Sequence, residues 1–526
     1  MLAEKNGDSR PDDLIENAIQ VVGEADGKFD AGDYILFYAV GPAPWLYRVS
    51  NSDPELTIRQ NLYDPYAWYF VKTGDGNGLR ITEQSSVPAS VITEEFDDVR
   101  RIEDERTNLL DFFVSAQGSG KKWFGDYFFQ TRERDYSFDF PNLVAGSSAR
   151  FRMDFAGRCG CGTSGSNVRL TADGNSFSGN IGSVTVSNNE ASYAALGVVR
   201  GNFQPTGTDK IDVNVEYLPT GQQSEGWLDY IEINARRRLT MAGQMMEFRD
   251  KQTLTQPAAT FRLSGVSGAN LAVWDITDPQ RPFLQQKTQN GTSVEFGANT
   301  QGVLRNFVAF YDNATFLKPE IAAGKIAVQN LHGIENVHMA IVYHPDFEAQ
   351  AAQLAEHRRT FSGLDVVLVN VNQLYNEFSS GGKDPTAIRD FARMLLERNP
   401  DKFEWLLLFG DGSFDPRNNT ESDINKDFVP VFETAESFDP IRAYPSDDYF
   451  GLLSPEEGGT LGGKLDIAVG RLTSGSADDA QAIVDKIIAY DKDPHRRWAT
   501  GTCATSLSPT MKTATRTSTR RTTSPT

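Results

Sequence analysis

The residues with the most chemistry to offer lie in the last third of the chain, where apolar runs end. Tyr343 and His344 close VHMAIVYH (337–344), Asn370 and Asn372 lie at the end of LDVVLVNV (364–371), and Gly410-Asp411-Gly412 ends EWLLLFG (404–410). A carboxylate between two glycines at a strand end can face a cationic substrate group, orient a base or bind a metal. The plainer reading of Asp411-Gly412 is a tight turn. Asp447 and Asp448, in YPSDDYFGLL (444–453), offer oxygens to Ca²⁺ or to a positive side chain, and read equally well as a solvated loop. No motif supports a calcium site, and no cofactor is expected. His344 precedes Pro345 and reads first as a strand-end residue, while His357 falls in mid-helix and reads as surface. Cys159 and Cys161 form a lone Cys-Gly-Cys; a metal site needs more ligands, the chain has only five His, and a loop thiol pair is the simpler reading. No Gly-rich phosphate loop, G-x-S-x-G elbow or H-E-x-x-H occurs.

The elements that must position these residues are strands and helices in alternation. Helix spacing runs through FEAQAAQLAEHRRTF (347–361), with Asp346 as a candidate cap. Asp384-Pro385 gives a cap and a first-turn proline for TAIRDFARMLLERN (386–399). KLDIAVGRL (464–472) reads as a further strand and ADDAQAIVDKIIAY (477–490) as a helix. Near-continuous apolar strands between amphipathic helices mean a mostly parallel α/β sheet, whose functional crevice lies at the carboxyl ends of the strands. The expected unit spans 335–499 and ends after its last helix, which would leave an apolar sheet edge uncovered.

Upstream, the texture is that of β-sandwiches or barrels. Short alternating or aromatic runs such as DYILFYAV (33–40), ARFRMDFAG (149–157), KIDVNVEYL (210–218) and GWLDYIEINARRRL (226–239) are separated by turn dipeptides. Two β units are expected, 1–130 and 131–320, with one helix interrupting at ERTNLLDFFVS (105–115). LAVWDITDP (271–279) is assigned to the second unit, with Trp274 in its core. The net charge of −20 repels phosphate backbones and anionic lipid, so nucleic acid is not an expected partner. No apolar run of about 18 residues exists to span a bilayer, and MLAEKNGDSRPDD is not a signal peptide.

Residues 500–526 break the pattern. They hold eleven Thr, four Ser, three Arg and one Lys, with no Asp or Glu. A disordered terminus would explain that composition. An out-of-frame translation explains it more sharply: a frame displaced by two bases turns ACN threonine codons into NAC, which encodes Asp, Asn, His or Tyr. With permitted codons, Thr502 onward rereads as VRDEPVADDEDGNTHINEADDIAD, an ordinary acidic domain sequence.

Tyr375 to Gly381, then Asp384 and Ala387-Ile388-Arg389, form a specific run. Leu408 to Gly412, Pro445 to Phe450 and Val469-Gly470-Arg471 follow it in order. Together they resemble the gingipain family of cysteine peptidases, and within it the sortase branch of the type IX secretion system. Segments 23–42, 61–70, 121–128 and 226–234 resemble the same branch, so the resemblance covers most of 14–498. It implies a caspase-like α/β peptidase domain with a Cys nucleophile and a His base. The implied reaction releases C-terminal signal domains from cargo and can pass the cargo to a lipopolysaccharide amine. The implied partners are protein substrates with C-terminal secretion signals and outer-membrane secretion components, at the cell surface, and the true start is then expected further upstream. In the family the His stands in a Gly-His-Gly setting after the next core strand, and the Cys comes one strand later; both fall beyond residue 499. Neither His495 nor Cys503 has that setting, so no catalytic residue is assigned and the chain as written is expected to be inactive. The displaced-frame VADDEDGNTH resembles the family segment after the last helix. Asp411 and Asp447 match positions near the active-site end and are the candidate substrate-binding residues. The alternative is a non-catalytic cell-surface or secretion-associated protein that binds through its β domains. A carbohydrate-binding sandwich rests on the aromatic β texture alone.

Overall fold

The computed structural model describes residues 11 and 13–493, apart from 75, 114–117, 163, 222, 223, 269, 323, 423–425, 455, 456 and 460. Two antiparallel sheets form a first sandwich. One orders Ala195–Phe203, Ala149–Arg158, Glu225–Arg238 and Glu95–Glu103, with Tyr127–Phe128 also paired to Glu225–Arg238. The other orders Asn175–Ile181, Ser166–Ala172, Lys210–Leu218 and Glu133–Asp139. Strict alternation explains the pairing of faces. Val168 and Leu170, Val213 and Val215, and Ile231 and Ile233 all point into one core with Phe151 and Phe155, whereas the residues between them reach outward wherever the sheet faces solvent.

A second sandwich stacks Met245–Phe248, Phe307–Tyr311, Leu271–Asp275, Phe283–Gln285 and Thr82–Gln84 on Thr288–Asn290, Ser293–Asn299, Ala258–Leu263 and Val91–Thr93. Its core is a knot of rings. Phe261, Phe296 and Phe307 lie 4.8–5.5 Å apart, Phe248 stacks on Phe307, and the rings meet edge-on or stacked as their quadrupoles favour. Trp274 is 2 % exposed in this sandwich, edge-on to Phe310. The divide expected near residue 130 is crossed by both sandwiches. Val91–Thr93 and Thr82–Gln84 pair in parallel with strands of the second, and Glu95–Glu103 closes the first. Local periodicity shows that a strand exists and which face is apolar; it does not show its partner, which here lies up to about two hundred residues away.

The α/β unit is built as its sequence pattern requires. Its elements are β1 (Met339–Tyr343), α1 (Glu348–Ser362), β2 (Val366–Asn370), α2 (Val371–Phe378), α3 (Pro385–Arg398), β3 (Trp405–Phe409), β4 (Ala468–Leu472) and α4 (Ala477–Lys492). The four strands are parallel in the order β2-β1-β3-β4, with Tyr343 level with Asn370 and Phe409, and Phe409 level with Leu472. Ile341 and Phe409 pack on Ala351 and Leu354 of α1 and on Ala480 and Val484 of α4. Ala340, Val342 and Leu408 pack on Leu374 of α2 and on Ile388 and Phe391 of α3. Burial on both faces is why these strands read as unbroken apolar runs. Among the described residues β4 pairs with β3 alone.

Asp384 caps α3 as expected, its Oδ1 accepting the Thr386 N–H at 2.8 Å. Three local readings are corrected. Asp346 does not cap α1, because it sits inside a 3-10 turn (Pro345–Phe347) that precedes the helix; the His344 ring caps that turn instead. His357 is not surface: it is 8 % exposed between α1 and α4, with Nε2 2.9 Å from Asp491 Oδ2 and its ring stacked on Phe361. Cys159 and Cys161 are not a free thiol pair but a disulfide, and Ser224 Oγ donates to Cys159 Sγ at 3.2 Å.

Candidate active site

The chain visits β1, then β2 on one side, then β3 on the other. That reversal places the topological switch point, where doubly wound sheets hold their ligands, between the carboxyl ends of β1 and β3. Tyr343-His344 forms one lip of the crevice and Gly410-Asp411-Gly412 the other. The His344 N–H donates to Phe409 O at 3.2 Å, which continues the ladder past the strand. Its Nδ1 accepts the Asp346 N–H at 3.3 Å, and Phe428 meets the ring edge-on at 4.9 Å. Burial pushes the His344 pKa below its ordinary value, with the Asp346 and Asp427 carboxylates opposing. Neutral His344 therefore carries its proton on Nε2 and presents a donor.

Asp411 is exposed, and its side chain is turned onto the adjacent Gly412 N–H at 3.0 Å. Its backbone does the larger structural job: the carbonyl accepts from the N–H groups of Phe428 and Val429, both at 3.0 Å, and its own N–H donates to Ser474 O. Both flanking glycines are required by that approach. At Gly410, whose φ is 144°, a Cβ would lie 2.9 Å from Phe428 Cβ; at Gly412 it would lie 2.5 Å from Val431 Cγ1.

Asp447 is held by Arg471 at the end of β4. The guanidinium grips both carboxylate oxygens, Nη2 to Oδ1 at 2.7 Å and Nε to Oδ2 at 2.9 Å. It also donates to the carbonyls of Gly410 at 2.9 Å, Val429 at 2.6 Å and Pro430 at 3.0 Å. One buried fork thus ties three chain segments under the crevice. Asp448 lies outside this grip, its N–H donating to Ser446 Oγ. Among the described residues no group of three or more His, Cys, Asp or Glu side chains is placed to hold a metal ion.

A second layer comes from residues that spacing alone did not single out. Lys383 Nζ donates to Pro416 O at 2.6 Å and pairs with Asp427 at 3.0 Å, while its N–H donates to Asp64. Asp64 belongs to the N-terminal segment and also accepts from Trp68 Nε1 and the Tyr66 N–H. The β units hold the β3–β4 connection along its length. Trp123 stacks on Phe414, Ser119 and Gly120 donate to Glu433, and the Tyr193 N–H donates to Phe438 O. Arg417 pairs with Glu105.

Burial raises the Glu105 pKa from 4.5 to about 7; Arg417 opposes this and the Glu103 carboxylate adds to it. The folded protein then holds a proton between these values that the unfolded chain has released. The associated stability is present below about pH 4.5 and lost as pH rises through about 7. Between pH 5 and 8 the native protein is expected to lose about 1–3 kcal/mol more stability than Glu105→Gln, in which this titration is absent. Urea midpoints of both proteins at stepped pH check this; parallel pH profiles would contradict it.

Comparison with known proteins agrees with this architecture. The model of peptidase family C25 matches residues 333–520, a span that runs into the Thr-rich stretch. No curated protein matches the sequence. Among solved structures, dimeric latent PorU from Porphyromonas gingivalis is 24 % identical, with a TM-score of 0.73 over 92 % of this chain and 46 % of that one. The chain therefore spans less than half the length of that protein. The CBM36-1 domain of a multidomain xylanase from the hindgut metagenome of Trinervitermes trinervoides is 11 % identical, over 26 % of this chain and 96 % of that one. Its TM-score of 0.15 carries no weight. The chain has the multidomain fold seen in PorU, and its α/β unit, with the crevice at the ends of β1 and β3, matches the model of peptidase family C25, the gingipain family.

Proposed function

We propose that this chain is part of a cysteine-type endopeptidase and sortase that removes C-terminal signal domains from type IX cargo at the cell surface. The observation that carries the reading is the C25 match lying on the unit whose switch-point crevice is built and braced as above. The chemistry needs a thiol, and among the described residues both cysteines are joined in the disulfide, far along the chain from the crevice. On this reading the nucleophile and base are assigned, by the family resemblance, to sequence beyond residue 499 that a displaced reading frame would encode. The base takes the thiol proton, and the thiolate adds to the scissile carbonyl. The C–N bond then breaks, and the leaving amine takes the proton back from the imidazolium. Water, or a lipopolysaccharide amine, releases the acyl group from the thioester. The exposed Asp411 is assigned to a cationic group of the substrate. Asp447 acts through Arg471 as a positioning residue. Cargo with C-terminal signals and outer-membrane secretion components are the partners this reading requires.

The test is made on the product of the gene with its frame restored after residue 501. It is expected to cleave a cargo signal domain and to react with a thiol-directed acyl probe. A folded product that binds cargo but takes no label would replace this reading with that of a non-catalytic binding protein.

A further inference from the structure

A cavity of about 680 Å³ lies away from the crevice, where the N-terminal segment meets the edges of both sandwiches. Its walls come from the hairpin Trp45–Tyr47 and Leu56–Ile58, from the edge strand Glu95–Glu103, and from the edge strand Met245–Phe248. Trp45, Ile58, Pro141, Met245 and Met246 supply apolar lining, and Arg100, Arg237 and Arg249 line the same cavity with two carboxylates, Asp98 and Glu247. The two sets interleave, with Arg249 over the Trp45 ring and Arg237 against Met246 Sδ.

Those two carboxylates are already shared. Asp98 accepts from Arg237 Nη1 at 2.7 Å and from Arg100 Nη1 at 2.9 Å. Glu247 accepts from Arg249 Nη2 at 3.1 Å and from the Tyr38 hydroxyl at 2.8 Å. Arg249 is 3 % exposed, lies 4.3 Å over the Trp45 ring and donates through Nε to the neutral Asn306 at 2.9 Å. Its Nη1 has no hydrogen-bond partner among the described residues. Burial lowers the pKa of both Arg249 and Arg237, with Asp98 opposing and Arg100 adding to the effect in each. A partly desolvated cluster with one more guanidinium than carboxylate favours an added anion, and an unfilled N–H beside an aromatic face gives that anion a fixed seat.

We propose that this cavity binds a small amphipathic anion, with a carboxylate or phosphate head on Arg249 and Arg100 and an apolar body along Trp45 and Met245. The volume falls within the ordinary range for small-molecule sites of about 300–1,000 Å³. This assignment does not rest on the peptidase reading.

The test uses the full chain, with octanoate, octyl phosphate, 1-octanol and inorganic phosphate as probes, read by titration calorimetry and by Trp fluorescence. At least one octyl anion is expected to bind about tenfold more tightly than 1-octanol, and more tightly than inorganic phosphate. Preference for octanoate or octyl phosphate identifies the head group. Arg100→Gln, at a half-exposed position, should weaken the anion about fivefold and leave 1-octanol unchanged. Ala43→Trp, at the exposed rim of the cavity, should abolish binding of all octyl probes while the melting curve stays intact. Equal affinity for anion and alcohol, absence of binding by either octyl anion, or full binding in a folded Ala43→Trp protein would overturn the proposal.

Discussion

Replacing Arg471 with Ala is expected to destabilise the α/β unit by about 3–5 kcal/mol, the range for breaking a buried ion pair from one side. The Arg471 side chain is 6 % exposed and that of Asp447 is 25 % exposed, so solvent screens this pair only weakly. Truncation leaves Asp447 without its bidentate partner. It also strips a donor from the carbonyls of Gly410, Val429 and Pro430, which stand beneath the crevice. Arg471→Lys keeps the charge but not the fork, and should recover less than half of the loss. Urea unfolding gives the magnitude. Hydrogen exchange gives the location, with protection lost first at the Phe428 and Val429 amides. A loss below about 1 kcal/mol would show that water replaces the clamp without penalty, which is the behaviour of an exposed pair.

Removing the Glu433 side chain is expected to have the second-largest effect, about 2–4 kcal/mol, read as the docking of the β3–β4 connection onto the β units. Glu433 is 3 % exposed, and its Oε2 accepts the Ser119 hydroxyl and the Gly120 N–H, both at 2.9 Å. Glu433→Ala leaves both donors buried and unmatched. The tight seat offers no easy collapse, since a Cβ at Gly120 would lie 2.3 Å from Glu436 O. Burial raises the Glu433 pKa, while the Gly120 and Ser119 bonds oppose the shift. Its stability contribution is therefore lost as pH rises through the folded value. Glu433→Gln keeps an acceptor and removes the charge, so it should be near neutral at acidic pH and equal to or better than native at alkaline pH. Limited proteolysis near Ser119 and near Glu433 is expected to accelerate in the Ala protein only. Equal acceleration in the Gln protein would mean that the carboxylate charge holds the interface.

Much of the α/β unit was legible because both of its signals are local. Apolar runs at 337–344, 364–371 and 404–410 contain β1, β2 and β3, and Asp384-Pro385 marks the start of α3 to the residue. KLDIAVGRL was read too long: only Ala468–Leu472 forms the strand, since Asp466 turns back and accepts the Leu453 N–H. The site was half legible. Strand ends located both lips of the crevice, and the family-matching segments drew attention to Asp447, but nothing in its spacing named Arg471 as the partner. The signal that could have found it was Val469-Gly470-Arg471, a cation one residue before the end of an otherwise apolar strand. The Asp64–Lys383 and Ser119–Glu433 contacts join residues more than three hundred positions apart, and no periodicity reports such a pairing. The same limit hid the exchange of strands between 82–103 and the two sandwiches. For Asp411 the sequence drew attention to the carboxylate, whereas the backbone's hydrogen bonds to Phe428, Val429 and Ser474 had no local signal.

The proposed function requires that the crevice between β1 and β3 serve a peptidase whose thiol and imidazole are encoded after residue 499. Reading the coding DNA from the Asp493 codon through several hundred bases past Thr526, in all frames, tests it most directly. The expected result is a displaced frame that opens on an acidic segment and continues through a Gly-His-Gly and a later Cys, each at the end of an apolar run. A stop after Thr526 with no such sequence in any frame would contradict the claim and leave the β domains as the place to seek function.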